Sequence, residues 1–212
     1  MAILLAAGVG NAQAASIVNF EDLALDSMGA GGDRISGALS FDTSWNHSHI
    51  DINQWGTSNG TKFMMVDNVA TNLGGTSNTN TFSTTWGGPF ALTSMDVSEA
   101  GNPGTMARQV QVTGNLWVGG IVSTLLVLDS NLVDGVTANY FQTFVFGPEW
   151  NNLASVTLSG LGAQCCGPIG GNYYGIDNIV IDFPGSQVPE PATLTLVGLG
   201  SAYLVRRRRN RR

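Results

Sequence analysis

The sequence predicts an all-β body, an antiparallel β-sandwich of the jelly-roll type, followed by a C-terminal hydrophobic helix of the transmembrane type. Apolar residues through the middle of the chain recur with period two rather than 3.6, the spacing of half-buried strands. Clusters of Gly, Asn, Asp and Pro break these runs into short segments, as an all-β fold with frequent turns requires. The run Ala192 to Val205 carries no charge and is followed by Arg206, Arg207, Arg208, Arg209, Asn210, Arg211 and Arg212.

The elements follow in chain order. Met1 to Gly10 is apolar, and Ala12-Gln13-Ala14 supplies the small residues that a signal peptidase reads, so residues 1–15 are expected to be a signal peptide. Its only positive charge is the initiator amine, unless the true start lies upstream. Residues 16–183 are the expected β domain, with eight to ten strands. Phe90 and Leu92, then Met95 and Val97, alternate with a one-residue slip, which predicts a bulge. Val110 and Val112 alternate with Gln109, Gln111 and Thr113. Ile121 to Leu128 is a nearly continuous apolar run of strand length and is expected to be a central strand. Tyr140, Gln142, Phe144 and Phe146 share one face, opposite Phe141, Thr143 and Val145. Ala154, Val156 and Leu158 alternate with Ser155, Thr157 and Ser159. Turn signals lie between these runs, among them Asn59-Gly60, Gly87-Gly88-Pro89 and Asp134-Gly135. Residues 184–191 form a linker containing Pro189-Glu190-Pro191, and residues 192–212 hold the hydrophobic segment and the arginine-rich tail.

Composition limits what the body can bind. Residues 16–187 hold three basic side chains (Arg34, Lys62 and Arg108) against fourteen acidic ones, the chain's fifteen less Glu190. The body therefore stands near −11, while the whole chain is −6. Such a surface repels nucleic-acid phosphates and anionic lipid, and is compatible with cations and neutral polysaccharide. The only cysteines, Cys165 and Cys166, are adjacent and have no Cys-x-x-Cys spacing. They are open to a strained vicinal disulfide, an intermolecular pair or two loop thiols. A structural or incidental role is expected, since no basic partner lies nearby to activate a thiol.

The arginine cluster fixes an orientation. It stays in the cytoplasm, and everything before it faces outward. The 14 residues of Ala192 to Val205 fall short of the about 20 a full span needs, which suits a transient anchor. The Pro-Glu-Pro triplet, apolar run and arginines, in that order at the C-terminus, resemble the PEP-CTERM sorting signal of Gram-negative bacteria. The resemblance implies export, transient inner-membrane anchoring and processing by an exosortase near Pro189, Glu190 and Pro191. Arg206, Arg207, Arg208 and Arg209 act as the cytoplasmic stop. It also implies association with extracellular polysaccharide, since such signals accompany exopolysaccharide production.

A second resemblance joins the two ends of the body. Asn19-Phe20-Glu21-Asp22 opens it and Tyr174-Gly175-Ile176-Asp177-Asn178-Ile179 closes it. The pair resembles the first and last strands of calcium-stabilised jelly rolls: family 4-like carbohydrate-binding modules, MAM-like domains and galactose-binding-like folds. The resemblance implies that these strands lie side by side. It also makes Glu21 and Asp177 the ligands of a structural calcium, helped by carbonyls and by Asp22 or Asn178.

Other candidates come from residue chemistry. In an extended segment His47, His49 and Asp51 point to one face and could hold zinc or copper. Trp45, Trp55 and Trp86 sit among Asn, Ser, Thr and Gly, and an exposed indole is a stacking platform for a sugar ring. No Gly-x-Ser-x-Gly, His-Glu-x-x-His or phosphate-binding loop is present. Asp96, Glu99 and Glu149 could form a glycosidase pair, at a separation the sequence does not fix. Two function classes follow. One is a non-enzymatic surface or matrix protein associated with a biofilm. The other is a secreted carbohydrate-active hydrolase or lyase. Single, scattered carboxylates favour the first.

Overall fold

The computed structural model describes residues 15–25, 33–42, 47–52, 60–67, 79–100, 105–129, 141–162 and 172–183. Twelve strands lie among them: β1 Ser16–Val18, β2 Arg34–Ser36, β3 Leu39–Asp42, β4 His47–Asp51, β5 Phe63–Asp67 and β6 Thr79–Thr84. They continue with β7 Ala91–Glu99, β8 Gln109–Leu116, β9 Ile121–Val127, β10 Gln142–Val145, β11 Leu153–Leu161 and β12 Tyr174–Asp182. A single 3-10 turn, Pro148–Trp150, is the one helical element among these residues. The tail, the Pro-Glu-Pro triplet, Trp45, Trp55, Cys165, Cys166 and the signal peptide up to Ala14 lie outside the described residues.

The strands form two antiparallel six-stranded sheets, a sandwich. One runs β10-β7-β12-β5-β4 with β1 also on β12, the other β2-β3-β6-β11-β8-β9. Strand 5 pairs with 12, 6 with 11, 7 with 10 and 8 with 9, as if one long hairpin were wound round the core. The inner faces supply that core. Val110 and Val112 of β8 meet Val156 and Leu158 of β11, all fully buried, while Gln111, Thr113, Ser155 and Thr157 face outward. A file of rings crosses it: Phe20 to Phe41 at 5.3 Å, Phe41 to Phe82 at 5.5 Å and Phe82 to Phe90 at 6.1 Å. Such pairs contribute about 0.5–1.5 kcal/mol each beyond their buried area. A smaller cluster of Phe63, Met65, Ala100 and Phe141 is separate from this core.

The predicted slip in β7 is present. Ser94 pairs with Val180 and Leu92 with Ile181, so β7 has one residue too many. β12 has its own extra residue between Asp177 and Val180, and Asn178 there takes φ 45. Asn is among the few non-glycine residues that adopt this left-handed region readily. The two insertions cancel, which returns both strands to register.

One expectation is overturned. Ile121 to Leu128 was expected to be a central strand, and β9 is the edge of its sheet, paired with β8 alone among the described strands. Its apolar run is not buried on two faces: Ile121, Leu125 and Val127 are exposed, Leu126 and Leu128 are buried in the core, and Val122 packs against it half-buried. The strand count also exceeds eight to ten, because β1 to β4 are pieces of three to five residues too short to show a period.

Candidate functional site

The two ends of the body meet. β1 pairs with β12 through Ser16↔Ile181, Ile17↔Val180 and Val18↔Ile179. β5 pairs with β12 through Tyr174, Gly175 and Ile176. Because β7 takes the other side of β12, β1 and β5 lie end to end along one side, with Asp177 and Asn178 at the junction. Gly175 keeps this place tight. A side chain there would meet Ser98 Oγ at 2.7 Å and the rings of Phe141 and Phe63 at 3.1 and 3.3 Å.

Phe20 sets the turn after β1. It is a buried aromatic residue at φ 59, a conformation that costs on the order of 1–3 kcal/mol and holds only where its surroundings demand it. Its ring is committed to Phe41, and Leu23 N–H donates to its carbonyl at 3.1 Å. Glu21 and Asp22 are thereby turned outward. Asp22 accepts from the Ser36 hydroxyl at 2.5 Å and from Gly37 N–H at 2.9 Å. Partial burial opposes its charge, but these bonds, with its own N–H and the Lys62 charge, outweigh it and hold the carboxyl below its ordinary range. The stability it adds is present above the unfolded carboxylate range and is lost as pH falls through the lowered folded value.

Lys62, just before β5, binds this turn three times. Its backbone N–H donates to Glu21 Oε1 at 2.8 Å, and its ammonium donates to the carbonyls of Glu21 at 2.9 Å and Leu23 at 2.7 Å. Asp177, fully buried, accepts from the Thr61 hydroxyl at 3.2 Å through Oδ2. Asn178 donates to Asp96 Oδ2 at 2.9 Å, and Thr143 to Asp96 Oδ1 at 2.6 Å. Glu21 and Asp177 are thus joined through residues 61 and 62. The carbonyls of Glu21 and Leu23 already accept from the Lys62 ammonium, and a calcium ion placed beside that charge would be repelled by it.

A second site lies on the outer face of the β2-β3-β6-β11 sheet. A cavity of about 510 Å³ is lined by Asp33, Ser40, Asp42, Thr81, Ser83 and Ser155. Register explains the grouping. Asp42 stands opposite Thr81 and Ser40 opposite Ser83, while Thr157 is opposite Thr81, their hydroxyls 2.9 Å apart. The β2–β3 pairing Arg34↔Phe41, continued by one residue, sets Asp33 opposite Asp42. This places two acceptor-only carboxylates on facing positions of the hairpin.

The other sequence candidates are placed separately. Asp96 is held by Asn178 and Thr143, Glu99 is buried opposite Tyr174, and Glu149 is exposed in the 3-10 turn. β4 is extended as expected for His47 to Asp51, but the side chains of His47 and His49 lie outside the described residues. Trp86 is half exposed with its ring edge against Phe183, the centroids 4.7 Å apart. Trp117, half exposed at the β8–β9 turn, was not singled out by the sequence, while Trp150 is buried against Phe146.

The fold defines an all-β sandwich domain, and the tail defines its destination. Residues 187–209 match the family model for the PEP-CTERM protein-sorting motif. The match takes in Pro189, Glu190, Pro191 and the arginines from Arg206 to Arg209. The motif implies an exported protein, processed by exosortase and sorted to the cell surface. No curated protein matches the chain.

Proposed function

We propose that this is a non-enzymatic surface or matrix protein whose polar sheet face binds a neutral extracellular polysaccharide. It would pass through the inner membrane, be released at the Pro-Glu-Pro triplet and remain outside. The observation that carries the binding role is the cavity of Asp33, Ser40, Asp42, Thr81, Ser83 and Ser155. Hydroxyls there can both donate and accept, and the carboxylates accept from neighbouring sugar hydroxyls. The acidic body keeps anionic polymers away. Trp45, three residues beyond Asp42, and Trp86, three residues beyond Ser83, are the indoles nearest the cavity in sequence, and Trp55 is a further candidate. The pairing of strand 5 with 12, 6 with 11, 7 with 10 and 8 with 9 supports a jelly roll of the carbohydrate-binding kind. We propose further that Lys62, in place of the structural calcium implied by the resemblance, joins the terminal strands.

The test is a pull-down of the exported protein on the polysaccharide of the producing cells. Asp42→Asn should weaken retention by about tenfold, the value of one charge-assisted hydrogen bond. Full retention by Asp42→Asn and by Trp45→Ala would rule this face out. A hydrolase stays in view for one reason: Asp33 and Asp42 line the same cavity, and a glycosidase works with a pair of carboxylates. The same samples should release no new reducing ends. Release that vanishes in Asp42→Asn would assign the site to catalysis.

A further inference from the structure

The exposed edge of β9 is unlike other features of this surface. Leu116 N–H donates to Gly120 O and Leu128 N–H to Arg108 O, each at 3.0 Å. These bonds fix the alternation of an antiparallel ladder: Val122, Thr124 and Leu126 turn their backbone groups to β8, and Ile121, Ser123, Leu125 and Val127 turn theirs away. Among the described residues no strand pairs with that outer side. Exposed edges are normally protected by Lys, Pro, a bulge or shortness. Ile121-Val122-Ser123-Thr124-Leu125-Leu126-Val127 has no charge, no proline and no register shift against β8. Ile121 is 69% exposed, Leu125 42% and Val127 61%, and Trp117 and Val118 extend the apolar patch at the adjoining turn.

We propose that β9 is a self-pairing edge, through which two copies of this chain join antiparallel about a two-fold axis at Thr124. The sequence is close to palindromic in character about that residue. Ile121 would face Val127, Val122 would face Leu126, and Ser123 would face Leu125. The outward-turned residues 121, 123, 125 and 127 then fall opposite one another, so their free N–H and C=O groups match across the axis. Val122 and Leu126, on the inner side, extend the sandwich core across the junction. Charge favours the same register. The body carries about eleven net negative charges, so most faces of two copies repel. Residues 121–127 carry none, and the first acid beyond them, Asp129, would stand opposite Gly119 of the second copy. An edge seven residues long buries less than the about 1,200 Å² of a stable dimer, so the contact is reversible and depends on concentration. Molecules crowded at a cell surface meet that condition.

The test is sedimentation velocity of the full chain in detergent over a concentration series, with folding checked by circular dichroism. The wild type should show a monomer–dimer equilibrium. Ser123→Pro removes an outward N–H without touching the β8 ladder, a position where proline is tolerated. It takes one hydrogen bond from each copy and should raise the dissociation constant by about tenfold or more. Leu125→Lys should do the same, which covers the case in which Ser123→Pro does not fold. Val145→Lys, on the opposite sheet's edge strand β10, should leave the constant within about twofold. With Cys165 and Cys166 replaced by serine, Thr124→Cys should give a disulfide-linked dimer, since facing residues at such a non-hydrogen-bonded position lie about 4.5 Å apart. The proposal is overturned by a monomer up to the solubility limit. It is equally overturned by a dimer that survives both β9 variants, by open-ended oligomers, or by loss of the dimer in Val145→Lys alone.

Discussion

The ammonium of Lys62 sits between the carbonyls of Glu21 and Leu23 while its backbone N–H holds the Glu21 carboxylate, so one residue ties the start of β5 to the end of β1. Lys62→Met keeps the stem and removes the charge. With the partial exposure of Lys62 allowed for, the loss should be about 1–2 kcal/mol, a few degrees in melting temperature for a body of this size. Wild-type melting curves in calcium and in chelator should coincide. A chelator-dependent drop in the wild type, unchanged by Lys62→Met, would give the role to calcium instead. Tyr174 supplies a prediction of opposite sign. Its hydroxyl is fully buried without a hydrogen-bond partner among the described residues, and burial pushes its pKa far up. Tyr174→Phe removes a polar group that costs about 1–3 kcal/mol to bury unmatched, so the melting temperature should hold or rise. A fall of several degrees would show that the hydroxyl has a partner. The nearness of Glu21 and Asp177 was legible because their flanking motifs mark the first and last strands. Lys62 was not legible: it stands 41 residues from Glu21, and only the end-to-end placement of β1 and β5 brings it there. Asp33 and Asp42 likewise carry no signal in the sequence. Their grouping depends on the register of a short hairpin turning at Gly37 and Ala38, which no period reveals.

At the scale of elements, β8 and β11 could be read directly, because each alternates buried aliphatic with outward Gln, Thr or Ser over eight or nine residues. The slip in β7 was readable for the same reason, since a bulge is a phase change in a pattern of period two. β9 misled because a continuous apolar run means burial on both faces only when nothing else explains it. Here the outward Ile121, Leu125 and Val127 stay exposed on an edge. Its composition is better explained by the pairing proposed for it than by the core. The first four strands, three to five residues each, are too short to show a period of their own. Short pieces owe their place to partners: β2 and β3 to β6, and β4 to β5.

For the molecule as a whole, the sandwich and its tail divide the labour. The body is acidic outside its core, closed at its two ends by the β1–β12 pairing, and carries a polar cavity on one sheet. The tail determines where that body goes, and the match over residues 187–209 rests on chemistry independent of the fold. In the reading proposed above, the arginine cluster would halt the chain at the cytoplasmic side and the triplet before the apolar run would be where exosortase acts. Cell fractionation with mass measurement, applied to the wild type and to a variant with Pro189, Glu190 and Pro191 all replaced by alanine, separates sorting from simple secretion. The wild-type body should be recovered outside the cell without its arginine tail, and the variant should stay at full length in the inner membrane. A variant that reaches the medium at the wild-type mass would contradict exosortase sorting through this tail.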